Sequence, residues 1–322
     1  MSQASTTSNI VNTELAKPGG RTLKGVLSEI AKKKECYILL LPTFTLLIIF
    51  NYYPAFSALY HSFFQWNGVN LSKFIGLKNF GKMFQDETIG IAFLNVLKVT
   101  LVMLAISLTF PLAGAELIYK LKNDRLAYAY RVIFVIPMVV PILVIIMIWS
   151  FIYNPTRGLL NELVKAVGLP SLARPWLGDF KLALYAVLFM GFPWVSGFAM
   201  LIYLAGLQNI PVAIVESATI EGATAWYKFF NIEIPLILSQ IKLIIILTVI
   251  GSVQGFVNFM VLTNGGPGDS TMVPGLYLYR NAMYYNRMGY ACAIGTTLFI
   301  IILSLTFLNI RYMRSSTEFE GS

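Results

Sequence analysis

The chain has 322 residues, of which 57% are hydrophobic and 12% charged, with a mean hydropathy of +0.70. A soluble domain carries roughly 25% charged residues, so this chain lacks the polar surface to face water on all sides; disorder, collagen-like repeats and a disulfide scaffold are excluded by the same composition. The net charge of +9 does not indicate nucleic acid, because the basic residues gather at the ends of apolar segments and form no patch with interleaved aromatics.

A membrane-spanning helix needs ~20 mainly apolar residues to cross ~30 Å of hydrocarbon. Six segments meet that requirement: 36–58, 91–118, 131–152, 182–206, 236–262 and 289–310. Residues 1–35 form a polar tail that ends in Lys32, Lys33 and Lys34. The apolar run after it is longer than the core of a secretory signal, which predicts an uncleaved first helix. Cys36 and Cys292 have no metal-ligand neighbours, so neither a zinc site nor a redox motif follows. His61, just beyond the first span, is the single histidine, which rules out an H-E-x-x-H metal site and favours a structural or solvated role. Asn70-Leu71-Ser72 matches a glycosylation acceptor, a pattern short enough to arise by chance.

The second and fifth spans carry Lys98 and Lys242 near one end, where a long side chain can snorkel to the interface. The third, VIFVIPMVVPILVIIMIWSFIY, and the sixth hold no charge. With the N-terminus inside, 14 of the 24 Lys and Arg fall in the inner segments, and these lie close to the spans. The positive-inside rule then places both termini in the cytoplasm.

The loop before the fifth span, GLQNIPVAIVESATIEGATAWYKFFNIEIPLI (206–237), is the most informative stretch. Pro211 suits a first helical turn with Asn209 as its cap, and the helix should run to about Glu221. Gly222 should end it as a left-handed and tightly packed residue. A second short helix is expected over 225–230, ended by Pro235. Val212, Val215, Ala218 and Thr219 make an apolar, small-residue face. Such a face can lie on the bilayer or pack on protein. Glu216 and Glu221 favour protein, because carboxylates are repelled by an anionic inner leaflet.

Two classes of chemistry are absent. The glycine-rich LTNGGPGDST (262–271) lacks the lysine of a phosphate-binding loop, so the chain cannot hydrolyse ATP itself. No G-x-S-x-G occurs either, and no enzymatic activity is expected. Ion-coupled carriers place ionisable residues at mid-membrane, and these spans have none near their centres. They hold neutral polar and aromatic groups instead: Tyr185, Trp194 and Ser196 on the fourth span, Gln254 and Asn258 with Gly251 and Gly255 on the fifth. Those groups suit a neutral, hydroxyl-rich solute. Gln254 and Asn258 are also readable as interhelical glue, with the glycines allowing close approach.

The string Glu216-Ser217-Ala218, Gly222 and Ile232-x-Ile234-Pro235 resembles the EAA loop of bacterial ABC importer permeases, E-A-A-x3-G-x9-I-x-L-P. IGLKNF (75–80) with Asp86 and Asn95 is similar to sugar-type members, as are Arg131, Pro137, Trp149, Gly158 and Asn161, LTNGGPGDST, Tyr279 and Gly289-Tyr290-Ala291. The resemblance covers about residues 36–314 and points to the carbohydrate branch (MalF-, UgpA- and LacF-like subunits). Departures are Ser217 for the second alanine, Glu221 for an aspartate, Ile234 for a leucine, Val96 after Asn95, and Val257 where many relatives carry an acid. The last faces the substrate half, so ligand identity does not transfer.

The resemblance implies an all-α membrane protein with six transmembrane helices and the type I ABC importer permease (MetI-like) fold. It implies a cytoplasmic tail (1–35), a first helix with an outer loop (36–90), a permease core (91–312) containing the coupling loop (207–235), and a second tail (313–322). Implied partners are a second homologous permease, an ABC ATPase dimer that binds the ATP and Mg, an extracytoplasmic solute-binding protein, a sugar-like solute and the lipid of the bacterial inner membrane, with no cofactor in this chain and no nucleic acid. Glu216, Ser217, Ala218, Glu221, Gly222, Ala223 and Pro235 would form the ATPase-coupling loop; Trp194, Gln254, Asn258 and Asn264 are the candidates for the substrate pathway. A glycerol 3-phosphate or polyol importer is the alternative within the family, since Arg157, Arg174, Arg280 and Arg287 lie in outer loops. A secondary carrier or channel is the alternative outside it.

Overall fold

The computed structural model describes residues 34–70 and 72–312. Apart from Lys34 and Glu35, the two expected tails lie outside the described residues, as does Leu71 of the acceptor triplet. Contacts divide the chain into two units, Met1–Ser57 and Ala58–Ser322.

The first unit holds helix α1 (Lys34–Leu47), a π-helical turn (Ile48–Tyr52) and the start of α2 (Tyr53–His61), which runs on into the second unit. Ile38–His61 is long and apolar enough to cross a membrane. Ile38, Leu41, Phe44 and Phe50 along it are exposed, as lipid contact demands.

The second unit opens with an antiparallel hairpin that the sequence did not suggest, β1 (Phe64–Trp66) and β2 (Ser72–Phe74), with Gln65 opposite Lys73. Its turn is fastened by Asn67, whose side-chain oxygen accepts from the backbone N–H groups of Val69 and Asn70. The helices that follow are α3 (Lys78–Gln85), α4 (Glu87–Tyr119), α5 (Asp124–Val135), α6 (Ile142–Ile152), α7 (Leu159–Ala166), α8 (Ala183–Phe189), α9 (Gly197–Gln208), α10 (Val212–Ile220), α11 (Ala225–Lys228), α12 (Leu238–Gln254), α13 (Val257–Leu262), α14 (Pro274–Met283) and α15 (Met288–Tyr312).

The 33 residues of α4 make it the spine. At 1.5 Å per residue it is about 50 Å long, more than the ~30 Å of a hydrocarbon core. Two apolar clusters lie along it. One joins Ile89, Val96 and Val99 to Val187, Val253, Leu276 and Ile294. The other joins Leu112, Ala115 and Ile118 to Met200, Tyr203, Leu207 and Ile241. Each cluster thus brings α4 together with a different set of later helices.

Four stretches are long and apolar enough to span: Ile38–His61, Glu87–Tyr119, Leu238–Leu262 and Met288–Tyr312. Up to six crossings result if each of two bent pairs counts as one. The expected third span is such a pair, Asp124–Val139 and Ile142–Ile152, bent by 91°. Pro141 is the N-cap of α6, where a helix cannot continue through the ring. The expected fourth span, 182–206, is not one helix. It breaks into α8 and α9, separated by Pro193 and by Trp194, whose φ of 58° lies in the left-handed region. With seven and 12 residues, the two are about 10 and 18 Å long, each too short to cross alone. The second bent pair joins α9 to α10 at 70°. Gly197 permits the crossing of α9 past residue 134, since a Cβ there would stand 2.5 Å from the Phe134 carbonyl oxygen.

Candidate functional site

The 206–237 loop is built by local signals. Pro211, not Asn209, is the N-cap of α10, with no side-chain cap; Asn209 instead is the C-cap of α9. The far end closes as a Schellman turn. Gly222 has φ +82°, its N–H donates to the Thr219 carbonyl (3.1 Å), and the Ala223 N–H donates to the Ala218 carbonyl (2.9 Å). Thr224 then caps α11 by accepting from the Tyr227 N–H at 3.2 Å. Lys228 Nζ donates to Thr219 Oγ1 at 3.1 Å, tying the two helices together.

Pro235 does not end the second helix. A π turn (Phe229–Glu233) and a helical turn (Ile234–Leu236) carry it on, with Pro235 in the latter. The break falls at Ile237 (φ −97°, ψ 18°).

Glu216, Ser217, Glu221 and Gly222 are exposed, Ala223 is half-buried and Ala218 is buried. The expected tight packing at Gly222 is absent, because a Cβ there would meet nothing within 4 Å. Its glycine is required by the backbone angle alone. The apolar face is also wider than expected and largely uncovered: Val212 is 67%, Ile220 87% and Trp226 73% exposed. Tyr119, Val212, Val215, Glu216, Thr219 and Ile220 line a cleft of about 360 Å³ on it.

Behind that face the loop holds a buried acid. Glu233 is 2% exposed and meets Glu116 of α4, itself 9% exposed. Burial, and then the Glu116 charge, push the Glu233 carboxyl up to about 7; Lys120 and Lys228 pull the other way. Lys120 forms an ion pair with Glu116.

The pathway candidates separate. Gln254 and Asn258 line one cavity of about 420 Å³, with Gly251, Ser252, Gly255 and Phe256. They do not share a helix, since α12 ends at Gln254, Gly255 adopts an extended angle, and α13 starts at Val257. Trp194 lines another cavity of about 540 Å³, and its indole N–H donates to the Leu188 carbonyl at 3.3 Å. Ser196 caps α9, and Tyr185 lines a third hollow beside Trp176. Asn264 is an exposed turn residue with φ 47°, whose carbonyl accepts from Arg280. Among the described residues no group of three or more His, Cys, Asp or Glu side chains could hold a metal ion.

Two of the residues that carry the resemblance, Asn95 and Asp86, act as clamps, with partners distant in sequence. The buried Asn95 amide donates to the carbonyls of Ser270 (3.0 Å) and Met272 (2.9 Å), fixing the glycine-rich loop to α4. Asp86 caps α4 and also accepts from the Tyr277 (2.7 Å) and Tyr290 (2.9 Å) hydroxyls. Beyond the resemblance, the signal in the sequence was a lone polar residue in, or at the mouth of, an apolar run.

Residues 107–313 match the family described as binding-protein-dependent transport system inner membrane component. The chain belongs to that family. It is therefore an ABC importer permease, a transport protein and not an enzyme. It is 33% identical to a probable ABC transporter permease protein, YurN, of Bacillus subtilis (strain 168), over 88% of this chain and 97% of the relative. It is 33% identical to the multiple sugar-binding transport system permease protein MsmF of Streptococcus mutans, over 85% and 92%. It is 28% identical to the sn-glycerol-3-phosphate transport system permease protein UgpA of Agrobacterium fabrum, over 88% and 96%. In fold it is similar to a chain in the crystal structure of a bacterial ABC transporter that imports the acidic polysaccharide alginate, with a TM-score of 0.77 at 22% identity, covering 90% of this chain and 99% of that one.

Proposed function

We propose that this permease pairs with a second, homologous permease, stands on an ABC ATPase dimer that binds the ATP and Mg, and imports a neutral sugar or oligosaccharide handed over by an extracytoplasmic binding protein. Both termini and the 206–237 loop face the cytoplasm. In the alternating-access cycle, closure of the ATPases moves the coupling loop around Glu216–Gly222, the paired permeases open outward, and hydrolysis resets them. A nucleotide can shift such an equilibrium only by its differential affinity for the two states, so the loop must transmit one geometry.

The observation that carries this reading is the face of that loop. It is fixed by the Schellman turn at Gly222 and the Lys228–Thr219 bond, yet leaves Val212, Ile220 and Trp226 uncovered beside Glu216 and Glu221. Rigid exposed apolar side chains rimmed by charge suit a protein partner. Binding-protein delivery is supported by the family description and by a fold neighbour crystallised with its alginate pentasaccharide-bound periplasmic protein.

A neutral solute is favoured by the cavity that Gln254 and Asn258 share, whose lining has no charged side chain. That lining counts against glycerol 3-phosphate, which would need a cation. The test is a detergent pull-down of the tagged chain from its host, followed by sugar-binding assays on any co-purified binding protein. An ATPase and a second permease are expected with it; recovery of the chain alone or as a homodimer would contradict the proposal.

A further inference from the structure

Among the described residues, Glu116 and Glu233 are the buried acids that transport of a neutral solute does not explain. Glu233 ends the π turn of the coupling loop; Glu116 stands in the last turn of α4. Both are at least nine-tenths buried. Glu233 Oε2 and the Glu116 carboxyl oxygens are sealed from solvent, and apart from the Lys120 ion pair to Glu116 they accept no hydrogen bond within the described residues. Burial and the neighbouring Glu116 charge both disfavour an ionised Glu233. The charged and titratable groups facing Glu233 are Glu116 and Tyr119 from α4, Lys120 at its C-cap, and Lys228 from α11. Lys120 pairs with Glu116 and so offsets one negative charge, leaving the second to be removed by a proton. Phe229 and Ile234 of the loop pack against the apolar cluster that includes Ala115, Ile118 and Leu207. The acids therefore stand where the loop is fastened to the membrane-spanning helices.

We infer that Glu233 takes up one proton from the cytoplasm as it docks beside Glu116, and that its neutral carboxyl positions the coupling loop on α4, so that coupling between ATPase and pathway weakens when the proton is lost. The inference rests on the coupling-loop reading above. The sign follows from burial. Docked, Glu233 holds its proton up to about pH 7; lifted into water, it would release it near its ordinary value of 4.5. Docking thus takes up a proton between those values, and the docked form loses up to about tenfold per pH unit across that window, then no more once both forms are ionised. No ligand or metal is needed, and the proton returns to solvent when the loop lifts.

Two readouts test it. The first uses the purified chain in nanodiscs. An infrared carboxylic-acid C=O band should be present at about pH 6, disappear by about pH 8, and be missing throughout in Glu233→Gln. Absence of that band in the wild type overturns the proton uptake at Glu233, whatever the chain transports. The second uses the whole transporter. ATP turnover stimulated by the loaded binding protein should fall about threefold or more from about pH 6 to about pH 7.5 in the wild type, and Glu233→Gln, which keeps a neutral hydrogen-bonding group, should flatten the profile. The same slope in wild type and variant overturns the positioning role even if the band is seen. If no ATPase accompanies the chain, the importer assembly fails while the infrared result still decides the proton.

Discussion

Replacing Gly222 by aspartate separates the needs of the chain from those of a partner. Inside the chain the cost is conformational. A residue with a Cβ at φ +82° is penalised by roughly 1–2 kcal/mol, and aspartate, which tolerates this region, by about 1 kcal/mol. There is no steric addition, because nothing lies within 4 Å of the new Cβ. The fold should therefore lose only about 1 kcal/mol, and the thermal midpoint of the detergent-solubilised chain should drop by a few degrees at most. Uptake should collapse all the same, because the open space is where the proposed ATPase would rest and a carboxylate there would be buried without a partner. Thermal unfolding of the solubilised chain and radiolabelled uptake in cells measure the two halves. Gly222→Asn, with the same backbone tolerance and no charge, should lie between wild type and aspartate in uptake. A large loss of stability in Gly222→Asp would refute the structural reasoning, and normal uptake would refute the functional reasoning.

Removing the Asn95 amide leaves the Ser270 and Met272 carbonyls short of a donor, so Asn95→Ala should cost about 2–4 kcal/mol and loosen the glycine-rich loop, measured by thermal unfolding and by protease cleavage within 262–271. Unchanged stability would mean the clamp is incidental. Asn258→Ala should lower solute uptake about tenfold, the worth of one or two hydrogen bonds, with the complex still assembled in a pull-down. Failure of assembly would instead assign Asn258 to helix packing. The pH profile of Glu233→Gln is the third of these expectations.

What the sequence disclosed follows from which constraints are local. Lipid imposes a length and a hydropathy on each crossing, so 91–118, 236–262 and 289–310 stand out; the first and last coincide with single long helices and the middle one with α12 and α13. The turn at Gly222 was legible because a left-handed residue selects glycine within a few positions of the helix it ends. Hydropathy averages along the chain, though, and ignores backbone angle. It could not see that Pro141 breaks the third span or that Pro193 and the left-handed Trp194 split the fourth. Nor could it see pairings distant in sequence. Asn95 with Met272, Asp86 with Tyr290 and Glu116 with Glu233 are each made by the packing of α4 on later helices. The hairpin at 64–74 was missed because two three-residue strands leave almost no alternation to read. The pathway candidates fared unevenly for a similar reason. Gln254 and Asn258 share a cavity although the helix breaks between them, while Trp194 and Asn264 went elsewhere.

The most direct test of the central claim is a photocrosslinker placed at Ile220 on the coupling loop, which is 87% exposed, with a control at Phe84, also 87% exposed, on α3 at the opposite end of α4. Irradiated in cells, Ile220 should give an adduct whose second component is an ABC ATPase, and Phe84 should not. An Ile220 adduct with lipid alone, or an ATPase adduct from both positions alike, would contradict the assignment of this loop as the coupling surface.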